Sequence, residues 1–140
     1  MSRFVVDASV AVKWLVPEIH TQEAELLLDS THVLLAPELL YAEVGNALWK
    51  RVRRRELSGE EASLVLGALH RFTLEVTPTR ALVNSALELA LQADCTVYDG
   101  LYLALAIHDE CRLVTADSRL RSAASRHGFA RHIAWLPTLS

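Results

Sequence analysis

Four acidic residues stand in contexts that ask for chemistry: Asp7 in FVVDAS, Glu43 in ELLYAEVGNAL, Asp99 in TVYDGLYLALA and Asp117 in LVTADSRL. Asp7 and Asp117 follow short apolar runs, and Asp99 opens a nearly all-apolar stretch. Glu43 falls within the apolar stripe of a helical pattern, three and four residues from Leu40 and Leu39. An acid on a core-facing stripe is costly unless it is paired, protonated or metal-bound. Carboxylates gathered at one place repel one another, so without cations some must hold protons at neutral pH. Hard divalent cations remove that conflict, and oxygen-only ligation selects Mg²⁺ or Mn²⁺ over zinc. A metal held by carboxylates activates water and screens a phosphodiester, which suggests phosphoryl transfer to water.

Taken singly, each acid has a plainer reading. Asp7 could be a strand-end turn or cap, Thr96 and Asp99 fit a capping box, Asp117 could cap the helix that follows it, and Glu43 could pair with a buried arginine or snorkel from the stripe's margin. None of these explains why four acids from four separated elements should be aimed at one edge.

The elements that must aim them come next. β-like runs at 3–7, 32–36, 73–77, 112–116 and 132–136 alternate with helical patterns at about 9–16, 20–30, 38–55, 58–71, 79–93, 98–110 and 118–127. Ser58 and Glu61 form a capping-box pattern, and Pro37 suits the first turn of the third helix. Apolar strands alternating with helices predict an α/β sandwich around a mostly parallel sheet. In such sheets ligands collect beyond the carboxyl ends of the strands, where Asp7 and Asp117 fall.

The chain has 140 residues, of which 51% are hydrophobic and 22% charged, in the range of one globular domain spanning residues 1–140. No apolar run approaches the length of a membrane span, and Asp7 interrupts any leader-like pattern, so a cytoplasmic location is expected. Cys95 and Cys111 lack metal-ligand or disulfide-framework spacing and are expected to be reduced and buried; the six histidines share no ligand spacing. A formal charge of −3 argues against a uniformly basic coat, yet neutralising the four acids with metal turns it into +1. The run KRVRRRE reads either as a solvated helix end favoured by the macrodipole or as a phosphate-contacting ridge, helped by Arg119, Arg121, Arg126 and Arg131. Trp14, Trp49 and the apolar positions at 26–28 and 64–69 are either ordinary core or a dimer face or partner groove.

In order and spacing, FVVDASV, ELLYAEVGNAL, TVYDGLYLALA and LVTADSRL resemble the PIN-domain family, in particular its VapC-like toxin branch, over almost the whole chain. The resemblance implies a compact three-layer α/β/α fold around a five-stranded parallel sheet. It also implies a Mg²⁺- or Mn²⁺-dependent endoribonuclease that leaves a 5′-phosphate and a 3′-hydroxyl, restrained by a cognate antitoxin and forming a homodimer. By motif the acidic quartet falls on Asp7, Glu43, Asp99 and Asp117. Asp7 and Asp99 would be direct metal ligands, and Glu43 and Asp117 would complete the site or act through water. Asn46 matches a polar position of the motif; Ser9 and Thr115 either orient ligands or make local caps. Two rival readings remain: a phosphatase using Asp7 as nucleophile, although Ser9 occupies the place of the usual second acid, and an interaction module whose acids are only caps.

Overall fold

The structure is a computed structural model that describes residues 2–140. Five strands, β1 (Ser2–Val6), β2 (His32–Pro37), β3 (Glu75–Thr77), β4 (Arg112–Thr115) and β5 (Ile133–Trp135), form one sheet in the order β3-β2-β1-β4-β5. Every ladder is parallel. Between them run α1 (Ala8–Leu15), α2 (Thr21–Leu26), α3 (Leu39–Arg53), α4 (Gly59–Leu69), α5 (Thr79–Ala93), α6 (Val97–His108) and α7 (Ser118–Arg126).

Successive strand side chains point to opposite faces, and the sequence places an apolar residue on both. Val5, aligned with Leu35 and Leu113, belongs to one core with Leu40, Val44 and Leu48 of α3 and Leu101 and Leu105 of α6. Val6, aligned with Val114, belongs to a second with Leu34, Val10, Leu27 and Leu136. Each fully buried Leu or Val contributes roughly 1.5–3 kcal/mol by leaving water. The sheet is therefore covered on both sides, as a three-layer sandwich requires.

From β1, the central strand, the chain builds β2 and β3 on one side and then returns to place β4 and β5 on the other, so the sheet has its topological switch between β1 and β4. There the loops after neighbouring strands diverge and open a crevice at the carboxyl edge. Helix α6 is buried along its whole middle, from Gly100 to Ala106. It lies that close to α5 because Gly100 has no side chain: a Cβ there would sit 2.4 Å from the Ala86 carbonyl oxygen. This contact fixes the first turn of α6, and with it Asp99.

The Ser58–Glu61 capping box forms, with bonds of 3.1 and 2.9 Å. Pro37 does not open a helix; it is the last residue of β2, paired with Thr77, and its ring is buried. Helix α2 stops at Leu26 rather than running to 30, because Asp29 turns the chain by accepting from the Thr31 amide at 2.9 Å. The two cysteines are free but only half-buried, since each sits in a connection rather than in the core. Trp49, Leu64 and Leu26 are exposed, whereas Leu27 and Leu69 are core.

Candidate functional site at the carboxyl edge

Asp7 follows the last residue of β1 and is only 6% exposed. Its Oδ1 accepts from the Ser9 hydroxyl at 2.6 Å and from the Val10 amide at 3.2 Å, and its Oδ2 accepts from the Thr115 hydroxyl at 2.5 Å. Asp7 is thus also the N-cap of α1, a role Ser9 does not take. Ser9 and Thr115 do more than satisfy local backbone. Ser9 Oγ accepts from the Ala116 amide and Thr115 Oγ1 from the Asp117 amide, both at 3.0 Å, so each hydroxyl ties Asp7 to the turn after β4. Burial pushes the Asp7 carboxyl up to about 6, against the pull of these three donors, and Asp117 adds like charge.

Glu43 lies at the margin of the α3 stripe, half-buried beside the fully buried Leu40 and Val44. Its partner is a phenol, not an arginine: Tyr102 Oη donates to Oε1 at 2.6 Å. Burial again raises the carboxyl, the Tyr102 bond opposes this, and the charges of Asp99 and Asp117 raise it further. Tyr102 is itself pushed up by burial and by the charges of Glu43, Asp7 and Asp99. Sequence reasoning missed Tyr102, although its position three residues after Asp99 puts the two on one face of α6.

Asp99 shows how a capping pattern misleads. Thr96 caps α6 and accepts from the Asp99 amide at 3.0 Å, but the Asp99 carboxylate turns away and accepts from Arg119 at 2.9 Å. Asp117 caps α7 through the Arg119 and Leu120 amides, and its second oxygen lies 3.4 Å from the same Arg119 guanidinium. Arg119 therefore bridges two of the acids from an exposed position.

The four acids come from the end of β1, from α3, from the first turn of α6 and from the turn after β4. Each of Asp7 and Glu43 feels the charge of at least one other member. Among the described residues no three acid, histidine or cysteine side chains are already gathered as a metal-ligand cluster. The donor set fits a hard divalent cation in chemistry and charge: it is all oxygen, Asp7 and Glu43 are held above their usual range, and a cation, Arg119, already straddles Asp99 and Asp117. Asn46 is exposed and lines the same cavity as Glu43.

This edge on a five-stranded parallel sheet defines a class. The sequence profile of the PIN domain matches residues 4–125, and the chain belongs to the PIN-domain family. It is 38% identical to Ribonuclease VapC3 of Pyrobaculum aerophilum over 120 residues, covering 84% of this chain and 92% of that one. With Ribonuclease VapC1 of Mycobacterium tuberculosis it shares 36% identity over 124 residues, 88% of this chain and 92% of the relative. Among solved structures, PAE2754 from P. aerophilum superposes with a TM-score of 0.71 at 25% identity, covering 98% of this chain and 85% of that one. VapBC2 from Rickettsia felis, solved bound to a DNA fragment from its promoter, has the same fold at 15% identity with a TM-score of 0.64, covering 95% of this chain and 98% of that one.

Among the described residues no helix is long and apolar enough to cross a membrane.

Proposed function

We propose that the protein is a divalent-metal-dependent endoribonuclease, the toxin of a toxin–antitoxin pair, hydrolysing RNA phosphodiesters at Asp7, Glu43, Asp99 and Asp117. One observation carries the reading: burial holds Asp7 and Glu43 above their ordinary range, and the charges of Asp117 at Asp7, and of Asp99 and Asp117 at Glu43, add to it from separate elements. Family membership and the ribonuclease names of the relatives support it.

Asp7 and Asp99 are the proposed direct ligands of Mg²⁺ or Mn²⁺, with Glu43 and Asp117 completing the site or acting through water. When bound, the cation supplies a Lewis acid and an activated water at neutral pH. The rest is work for the protein's own groups. Ser9 and Thr115 orient the Asp7 carboxylate by hydroxyl donation to its two oxygens, and Tyr102 donates to one oxygen of Glu43. Asp7, whose carboxyl burial pushes up to about 6, would be held in its charged form by a bound cation.

The proposed products carry a 5′-phosphate and a 3′-hydroxyl. The proposed partners are a cognate antitoxin and a second copy of the chain, in the cytoplasm. An aspartyl-nucleophile phosphatase fits less well, because Ser9 stands two residues after Asp7, in the place of the usual second acid.

The test is incubation of a defined RNA pool with Mn²⁺, comparing the native protein with Asp99→Asn and mapping the cut ends. Cleavage by the native protein with 5′-phosphate ends, lost in a folded Asp99→Asn, is expected. Full cleavage by the variant would refute the assignment.

A further inference from the structure

Two cavities meet along α3. One, of about 340 Å³, is lined by Glu43, Asn46 and Tyr98. The other, of about 300 Å³, is lined by Ser9, Lys13, Lys50, Arg51 and Arg54. Ala8, Ala47 and Lys50 border both, so the two form one groove. The helical period explains why: positions 43, 46, 47, 50 and 54 recur at steps of three and four and share one side of α3. At 1.5 Å per residue, Arg54 lies about 16 Å from Glu43 along the axis.

Charge reverses along this groove. At one end stands the acidic site; at the other, four cations face one carboxylate, Glu18. Glu18 accepts from Lys13 Nζ at 2.9 Å and from Arg51 Nη2, so two long side chains are held ready rather than left to search. The Lys13 side chain is only 7% exposed, which gives its ammonium little water to replace a lost partner. The same period divides the basic run. Lys50, Arg51 and Arg54 border the groove, whereas Arg53 lies over the Trp49 ring at 5.5 Å and Arg55 leaves the helix with φ 62°. At the acidic end Tyr98, next to Asp99, presents a ring to solvent at 59% exposure. A positive groove that tracks a backbone, joined to an exposed aromatic ring, is the combination that holds single-stranded nucleic acid.

We propose that this groove is the track of a single RNA strand: Tyr98 stacks a base beside the carboxylates, and Lys50, Arg54 and Arg51 take backbone phosphates on one side of the cleaved bond, while the buried Lys13 stays with Glu18. The proposal rests on the ribonuclease reading and adds to it where the substrate lies. Three of the five basic residues of the run, Lys50, Arg51 and Arg54, serve the strand, and Arg53 and Arg55 do not. An acidic peptide fits less well, because it has no base to stack on the exposed Tyr98 ring.

The test compares Lys50→Gln/Arg54→Gln with Arg53→Gln/Arg55→Gln, two double variants that each remove two exposed charges and leave the Glu18 ion pairs intact. Binding of a labelled single-stranded RNA is followed by anisotropy against salt in the Asp99→Asn protein, and KM and kcat are measured in the otherwise native protein. Each lost phosphate contact should flatten the log–log salt dependence by about 0.7, so the groove pair should flatten it by about 1.4. The groove pair should raise KM with kcat little changed, and the Arg53/Arg55 pair should do neither. Tyr98→Leu should weaken RNA binding roughly tenfold with little effect on the salt slope. Equal slopes and KM values for the two pairs would overturn the proposal. So would unchanged RNA binding accompanied by weakened binding of an acidic peptide, which would assign the groove to a protein partner. Absence of any cleavage by the native protein would instead sink the ribonuclease reading itself.

Discussion

Asp7→Asn is the perturbation whose energetics the structure specifies most fully. In the folded protein burial lifts this carboxyl to about 6 from an ordinary 3.8, despite three hydrogen bonds that favour the charged form. Because the folded value is the higher one, the native state binds the proton more tightly than the unfolded chain. The resulting stability is fully present below the unfolded value and is lost as pH rises through the folded one. The difference between the two values corresponds to about 3 kcal/mol. Glu43, also raised, works in the same direction. Urea unfolding in EDTA across about pH 4 to 8 should therefore show the native protein losing stability toward neutral pH. Asp7→Asn should lack about 3 kcal/mol of that loss. At neutral pH the variant should be the more stable of the two, less about 1 kcal/mol for an amide that matches the two hydroxyls imperfectly. Saturating Mg²⁺ should then reverse the order, since a ligand at a hundred times its Kd adds about 2.7 kcal/mol to the protein that binds it. Parallel pH profiles for the two proteins in EDTA would refute the reasoning.

Three further substitutions probe the frame around the site. Gly100→Ala forces a Cβ against the Ala86 carbonyl oxygen and should cost about 1–3 kcal/mol in urea unfolding, with weakened cation binding because Asp99 moves with the helix turn. Tyr102→Phe leaves Glu43 without its donor, so its carboxyl should rise further; Mn²⁺ affinity measured by calorimetry should fall while the fold is kept. Arg119→Gln removes the one cation that bridges Asp99 and Asp117, and Mn²⁺ should bind severalfold more tightly; unchanged affinity would mean that the bridge does not compete with metal.

Much of this was legible because the signals were redundant. β1 was readable since Val5 and Val6 are buried on opposite faces of a central strand, which needs an unbroken apolar run ended by a polar residue. The helices from Thr79 to Ala93 and from Ser118 to Arg126 matched their expected limits closely because a proline or an aspartate stands at the cap. Where signals were local and competing, the reading slipped. Leu26 to Leu28 carry helix-forming residues, but the Asp29 turn ends the helix first. Pro37 satisfies either a strand end or a first helical turn, and pairing with β3 decided it. At the site, residue types and spacing marked the four acids, but not which side chains hold them. The Tyr102 donor to Glu43 and the Arg119 bridge depend on how α3, α6 and α7 pack, and no local pattern encodes that. The alternatives weighed for Asp7 were not exclusive, because it caps α1 and still heads the acidic group.

The proposed function requires the four carboxylates to form one cation-dependent phosphodiester-cleaving centre. The most direct measurement is RNA cleavage by EDTA-stripped protein with Mg²⁺ titrated back, run in parallel on Asp7→Asn, Glu43→Gln, Asp99→Asn and Asp117→Asn. No cleavage is expected without metal, with recovery as Mg²⁺ is added to the native protein and severe loss in every folded variant at saturating metal. Cleavage that persists in EDTA, or a quartet variant that cuts at the native rate, would contradict it.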